Sequence, residues 1–106
     1  MKRVKFAEDA IFILRTLEDS DTFFYVSDGQ VVRSLKELSD VLGAMSDETF
    51  RHHVKKNRND FSKWVLKVLR DRKLARELSP IRNRRLAKAL VDYRVVWLEV
   101  KAYEGG

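Results

Sequence analysis

The chain is 106 residues long and carries 22 Lys and Arg against 16 Asp and Glu, a formal net charge of +6. That length suits a single domain over residues 1–106, and a 44% hydrophobic content is enough to bury a core, which excludes wholesale disorder. The lack of cysteine excludes a disulfide scaffold, a thiolate zinc site and a cysteine nucleophile.

Met1-Lys2-Arg3-Val4-Lys5-Phe6 is basic but has neither the apolar core nor the small-residue cleavage site of a signal peptide, and no apolar run reaches the length of a membrane span. A cytoplasmic chain with no membrane partner is expected. The 36% charged content, with one Gln and three Asn, leans the way hyperthermophile proteins do.

Phe6, Ala10, Ile13, Leu14 and Leu17 fall on one face of a helix, which the spacing places over about Ala7 to Glu18. Asp19-Ser20-Asp21 favours a turn. Thr22 to Val26 and Val31 to Arg33 are β-branched and aromatic runs flanking Asp28-Gly29, so residues 22–33 are expected to form a hairpin with a type I′ turn. Both faces of that hairpin are largely apolar and call for covering helices.

Ser34-Leu35-Lys36-Glu37 is a capping-box signature, followed by the stripe Leu35, Leu38, Val41 and Leu42, with Gly43 expected as a left-handed C-terminal cap. Ser46 is the next expected N-cap, with Asp47 and Glu48 in the first turn and Met45 placed to pack on Phe50. After Asn57-Arg58-Asn59, the positions Phe61, Trp64, Val65, Val68 and Leu69 repeat at helical spacing, and Trp64 reads as core. Leu74, Ala75 and Leu78 mark a short helix.

Ser79-Pro80 reads as the N-cap and first position of the last helix. Leu86, Leu90, Tyr93 and Trp97 form one stripe of that helix, and Ala87, Val91 and Leu98 form another. A helix apolar on two sides packs between elements or against a second copy of the chain, so a homodimer through it is one expectation. A strand over Tyr93 to Val100 is the alternative, and the last two to six residues are expected to fray. The expected fold is mainly α with minor β: five or six short helices and one hairpin.

Charge is the most informative feature. Residues 51–88 hold 14 Lys and Arg against Asp60, Asp71 and Glu77, a net of +11, which leaves −5 for the rest of the chain. Such asymmetry implies a basic lobe. On a helical wheel Lys63, Lys67 and Arg70 share an arc opposite Phe61, Trp64, Val65 and Val68, while Leu66 lies beside the basic arc. Arg84, Arg85 and Lys88 avoid the Leu86/Leu90/Trp97 stripe.

Lys63, Lys67, Arg70, Arg72, Lys73, Arg82, Arg84, Arg85 and Lys88 are therefore the candidate nucleic-acid-binding residues, acting by phosphate contacts that are indifferent to base sequence. Asn57, Asn59, Ser62 and Asn83 lie among them as added donors. An acidic protein partner and a merely solvated face are the alternatives.

His52-His53 is the only histidine pair, and neighbours on a helix diverge by about 100°. With no cysteine, neither a metal site nor a cofactor is expected. His53 near Asp60 has the shape of the orienting half of a catalytic triad. With no recognisable nucleophile it reads instead as a polar link between helices, so a non-catalytic chain is expected.

Phe50-Arg51-His52-His53-Val54, Asn59-Asp60-Phe61-Ser62-Lys63-Trp64-Val65, Val68-Leu69-Arg70-Asp71 and Leu74-Ala75 together resemble a small prokaryotic, often archaeal, family of unknown function. The likeness covers about Phe23 to Leu78. Its motifs are a His-Val pair, an Asn-Asp-Phe-x-x-Trp core and a later Val-Leu-Gly-Asp with Leu-Ala. The resemblance implies that His53, Asn59, Asp60, Phe61 and Trp64 act together as a helix junction. Arg70 stands where that family has Gly, which puts the break between the two helices there in question.

Overall fold

The structure is a computed structural model that describes residues 2–105. Six helices, α1 (Lys2–Leu14), α2 (Leu35–Ala44), α3 (Asp47–His53), α4 (Asp60–Trp64), α5 (Arg72–Leu78) and α6 (Arg84–Gly105), carry most of the chain. Two short antiparallel pairs join them: β1 (Phe24–Tyr25) with β2 (Val31–Val32), and β3 (Val54–Lys55) with β4 (Arg58–Asn59). The protein is mainly α with minor β.

Helix α1 starts and ends earlier than its spacing predicts. The Leu17 amide donates to Arg33 O at 2.7 Å, which draws residues after Leu14 out of the helix and along the end of the hairpin. Ala7, Ala10, Ile13 and Leu17 are buried, whereas Phe6 is exposed.

The hairpin is present, but its turn is not type I′. Gly29 N–H bonds Val26 O, and Gly29 alone in that turn has a positive φ, at 100°. This is the three-residue loop in which a left-handed glycine follows the turn. Phe24, Val26 and Val32 face the core, while Tyr25 and Val31 remain in solvent, so only one face is covered.

Ser34 and Ser46 cap α2 and α3, accepting from the amides of Glu37 and Thr49. Glu37 reaches back past the cap residue to the Arg33 amide at 2.8 Å. Gly43 is not a left-handed cap; it lies inside α2, where a Cβ would come within 2.7 Å of Lys88 Cε. Its small size makes room for a side chain of α6.

The β3–β4 pair is not anticipated by the residue pattern, because Val54-Lys55 and Arg58-Asn59 lack a run of β-forming residues. Helix α6 begins at Arg84 rather than Pro80. Asn83 caps it by accepting from the Leu86 amide, and the carbonyls of Leu78 and Ile81 are taken by the Asn59 side chain at 2.9 and 3.3 Å. Residues 79–83 are thereby held as a turn.

Helix α6 has 22 residues and stays helical through Tyr93–Val100 and on to Gly105, so the alternative of a strand over Tyr93–Val100 is not realised. Gly106 lies outside the described residues. α6 packs along α1, α2 and α5. Its buried stripe is Ala87, Val91, Val95 and Leu98; Leu86, Tyr93 and Trp97 of the other expected stripe are exposed.

Among the described residues no helix is long and apolar enough to cross a membrane.

Candidate nucleic-acid interface

The site grows out of an irregularity in the backbone. Helix α4 passes directly into a π-helical turn, Val65–Leu69, which stops at Arg70 with φ 68° and ψ 28°. Arg70 is the only non-glycine residue with a positive φ among those described. For a residue bearing a Cβ that conformation costs about 1–2 kcal/mol. The helix break that a glycine would have made easily is therefore present with arginine in its place. The amides of Arg70 and Asp71 both bond Val65 O, and Arg15 Nη2 donates to Val68 O at 3.2 Å, so the turn is held at its end and along its side.

Asp71 anchors the start of α5. Its side chain caps that helix by accepting from the Leu74 amide at 3.1 Å. It also receives a two-pronged contact from Arg94 of α6, Nε at 2.7 Å and Nη2 at 3.0 Å. Asp71 is 1% exposed and Arg94 9%. A paired charge at that depth is expensive to disrupt, because removing either partner leaves the other buried and unpaired. Trp97 covers the guanidinium, whose carbon lies 4.6 Å from a ring centroid. The residues on either side of Asp71, Arg70 and Arg72, are thus fixed to α6 through it.

Lys67, Arg70 and Arg72 surround Leu66 in an open concavity of about 640 Å³. Ser62 and Arg76 continue that surface past Leu66 and Arg72. On the other side Arg70, Arg72 and Lys73 line a groove of about 440 Å³ together with Asp9 and the aromatic rings of Phe6, Phe12 and Trp97. Lys63, Lys67, Arg70, Arg72 and Arg76 make no ion pair with a carboxylate among the described residues.

A second cationic cleft, of about 340 Å³, gathers Arg51, Arg82, Arg84 and Arg85 around Asp47 and Phe50. It is built differently. Arg84 Nε bonds Asp47 Oδ1 at 2.8 Å and its Nη1 bonds Leu42 O at 2.9 Å, tying α6 to the ends of α2 and α3. The Arg84 hydrogen bond, reinforced by its charge, holds the Asp47 carboxyl below its ordinary value. Arg82 donates to Lys56 O and so fastens the β3–β4 turn.

The nine candidate cations therefore separate. Lys67, Arg70 and Arg72 come together, as do Arg82, Arg84 and Arg85. Lys63 is exposed on α4. Lys73 is paired with Glu77 and Lys88 with Asp92, each at 2.9 Å. Arg51 and Arg76 were not among the candidates, although the charge count over 51–88 includes them; helical arcs alone could not bring α3 to the start of α6.

His53, Asn59, Asp60, Phe61 and Trp64 meet at one junction around the start of α4. His53 Nδ1 lies 3.0 Å from Asp60 Oδ2, and its Nε2 lies 3.0 Å from the Ser27 amide. A backbone amide can only donate, so Nε2 accepts, the proton sits on Nδ1, and the ring is neutral. Both nitrogens are engaged, which makes His53 a strut between the hairpin and α4 rather than an available base. Asn59 caps α4, Phe61 stacks between Phe24 and Phe50, and Trp64 Nε1 donates to Thr22 O at 2.8 Å. Among the described residues, no three His, Asp or Glu side chains converge as a metal site would require.

Set against models of known protein families, curated proteins and solved structures, the chain matches none. Any functional assignment must come from the site itself.

Proposed function

We propose that the protein is a non-catalytic module that binds nucleic acid through the phosphate backbone, with Lys67, Arg70 and Arg72 as its centre and Lys63 and Arg76 extending the contact. The observation that carries this reading is a left-handed arginine, held at energetic cost among cations with no carboxylate partner. Strain of this kind persists where function maintains it. Cations with no ion pair to break can neutralise phosphates and release counterions. Lysine and arginine contacts to phosphate carry no base information, so affinity should follow charge and salt.

Fluorescence anisotropy with labelled duplex DNA and single-stranded RNA, at low and moderate salt, tests the reading. With three to five phosphates engaged, log K against log [salt] should slope at about −3 to −5. No binding at low salt removes the proposal.

Leu66, 43% exposed at the middle of the cleft, favours a second reading: an acidic protein partner with an apolar residue at its centre. A nuclease-resistant, stoichiometric partner recovered from the native host would support that reading in place of the first.

A further inference from the structure

Helix α6 carries a feature that neither its packing nor the cationic clefts use. Its core-facing stripe is Ala87, Val91, Val95 and Leu98. On the opposite side Leu86, Ala89, Tyr93, Val96, Val100 and Tyr103 recur at spacings of 3, 4, 3, 4 and 3, and every one is exposed. Tyr103 is 87% exposed, Tyr93 73% and Val96 59%. This is a heptad seam, with Leu86, Tyr93 and Val100 at one core position and Ala89, Val96 and Tyr103 at the other. A 3.5-residue repeat keeps its stripe turned toward a second helix along its length, a requirement that packing on a flat surface does not impose.

From this arrangement we infer that the outer face of α6 is the docking site for a second copy of the chain, with the two α6 helices antiparallel. The seam with Trp97 offers on the order of 700 Å² per copy, close to the roughly 800 Å² per partner of a standard interface. At 22 residues α6 is about 33 Å long, enough for three turns of contact on each side of a two-fold axis.

The antiparallel register is the self-complementary one. It sets Leu86 against Tyr103, Ala89 against Val100 and Tyr93 against Val96, so each layer pairs a larger residue with a smaller one, and it lays Leu90 beside Trp97. A parallel register would put Ala89 on Ala89 and Glu99 beside Glu104. Asp92, which the antiparallel register turns toward Glu99, is already neutralised by Lys88. The edges of the seam carry Asp92, Glu99 and Glu104 against the single base Arg85, an acidic balance, whereas a helix lying on anionic lipid borders its apolar face with Lys and Arg. Lys67, Arg70 and Arg72 lie outside α6, so this inference stands apart from nucleic-acid binding.

Mass by light scattering is the test. The 12.5 kDa chain should run as a dimer of about 25 kDa. The variant Tyr93→Glu/Val96→Glu should return to 12.5 kDa with unchanged helical circular dichroism, and Leu66→Glu, a comparable change on the cationic face, should stay dimeric. Because the chain has no cysteine, Leu86→Cys/Tyr103→Cys should cross-link readily while Leu86→Cys alone does not. A wild-type monomer at every concentration, a dimer that survives the double variant, or efficient cross-linking by Leu86→Cys alone would overturn the inference. A monomer that floats with phosphatidylserine vesicles would assign the face to lipid instead.

Discussion

The two cationic clefts contain similar numbers of basic side chains and differ in what those side chains are already doing. Around the π-turn, Lys67, Arg70 and Arg72 are exposed and make no ion pair among the described residues, on a backbone held by Asp71 and Arg94. At the start of α6, Arg84 is engaged by Asp47 and Leu42, and Arg82 by Lys56. A count of charges along the sequence weighs both clefts equally. Hydrogen bonding separates them: the second cleft commits Arg82 and Arg84 to joining elements and leaves Arg51 and Arg85 unpaired among the described residues, whereas the π-turn cleft commits none of its three cations.

The largest expected effect concerns the anchor. Arg94→Ala leaves Asp71 buried without its partner and should cost about 3–5 kcal/mol of stability in urea denaturation. Arg84→Ala, which breaks a pair exposed on its Asp47 side and one hydrogen bond to Leu42 O, should cost less, about 1–2 kcal/mol. Equal losses would show that the two clefts are anchored alike.

Next is Arg70→Gly. It relieves the left-handed strain while deleting a cation, so it should raise stability by about 1 kcal/mol and weaken nucleic-acid binding in the same protein. Denaturation and anisotropy measured together check the opposed signs. A variant that loses stability would mean that Arg70 makes contacts worth more than its strain.

The smallest effect is on the second cleft. The Asp47 carboxyl is held below its ordinary value by Arg84. Its contribution is therefore complete above that ordinary value and declines as the pH falls through the lowered one. Asp47→Asn should flatten the acid limb of the stability profile slightly, without altering affinity through the first cleft.

What could be read from the sequence was largely what a few adjacent residues decide. Ser34 and Ser46 cap their helices through amides three residues away, and the buried stripe of α4 and α5 lies where the spacing of Phe61, Trp64, Leu74 and Leu78 puts it. What escaped depends on partners far along the chain. Gly43 is small because Lys88 crosses it, and the start of α6 was displaced because Asn59 holds the preceding turn. Which of two apolar stripes on α6 faces inward depends on α1 and α2, which no periodicity within α6 reveals. The clefts obey the same rule: the basic span was visible, but the Asp71–Arg94 pair and the Arg84–Asp47 strut join residues 23 and 37 positions apart.

The most direct test compares salt slopes for Lys67→Ala/Arg70→Ala/Arg72→Ala and Arg82→Ala/Arg84→Ala/Arg85→Ala, titrated with the same labelled duplex. The first variant should flatten the slope by about 3, roughly one unit for each phosphate left without its cation, and the second by less than about 1. Equal flattening, or a greater reduction from the second variant, would contradict the assignment of binding to the π-turn cleft.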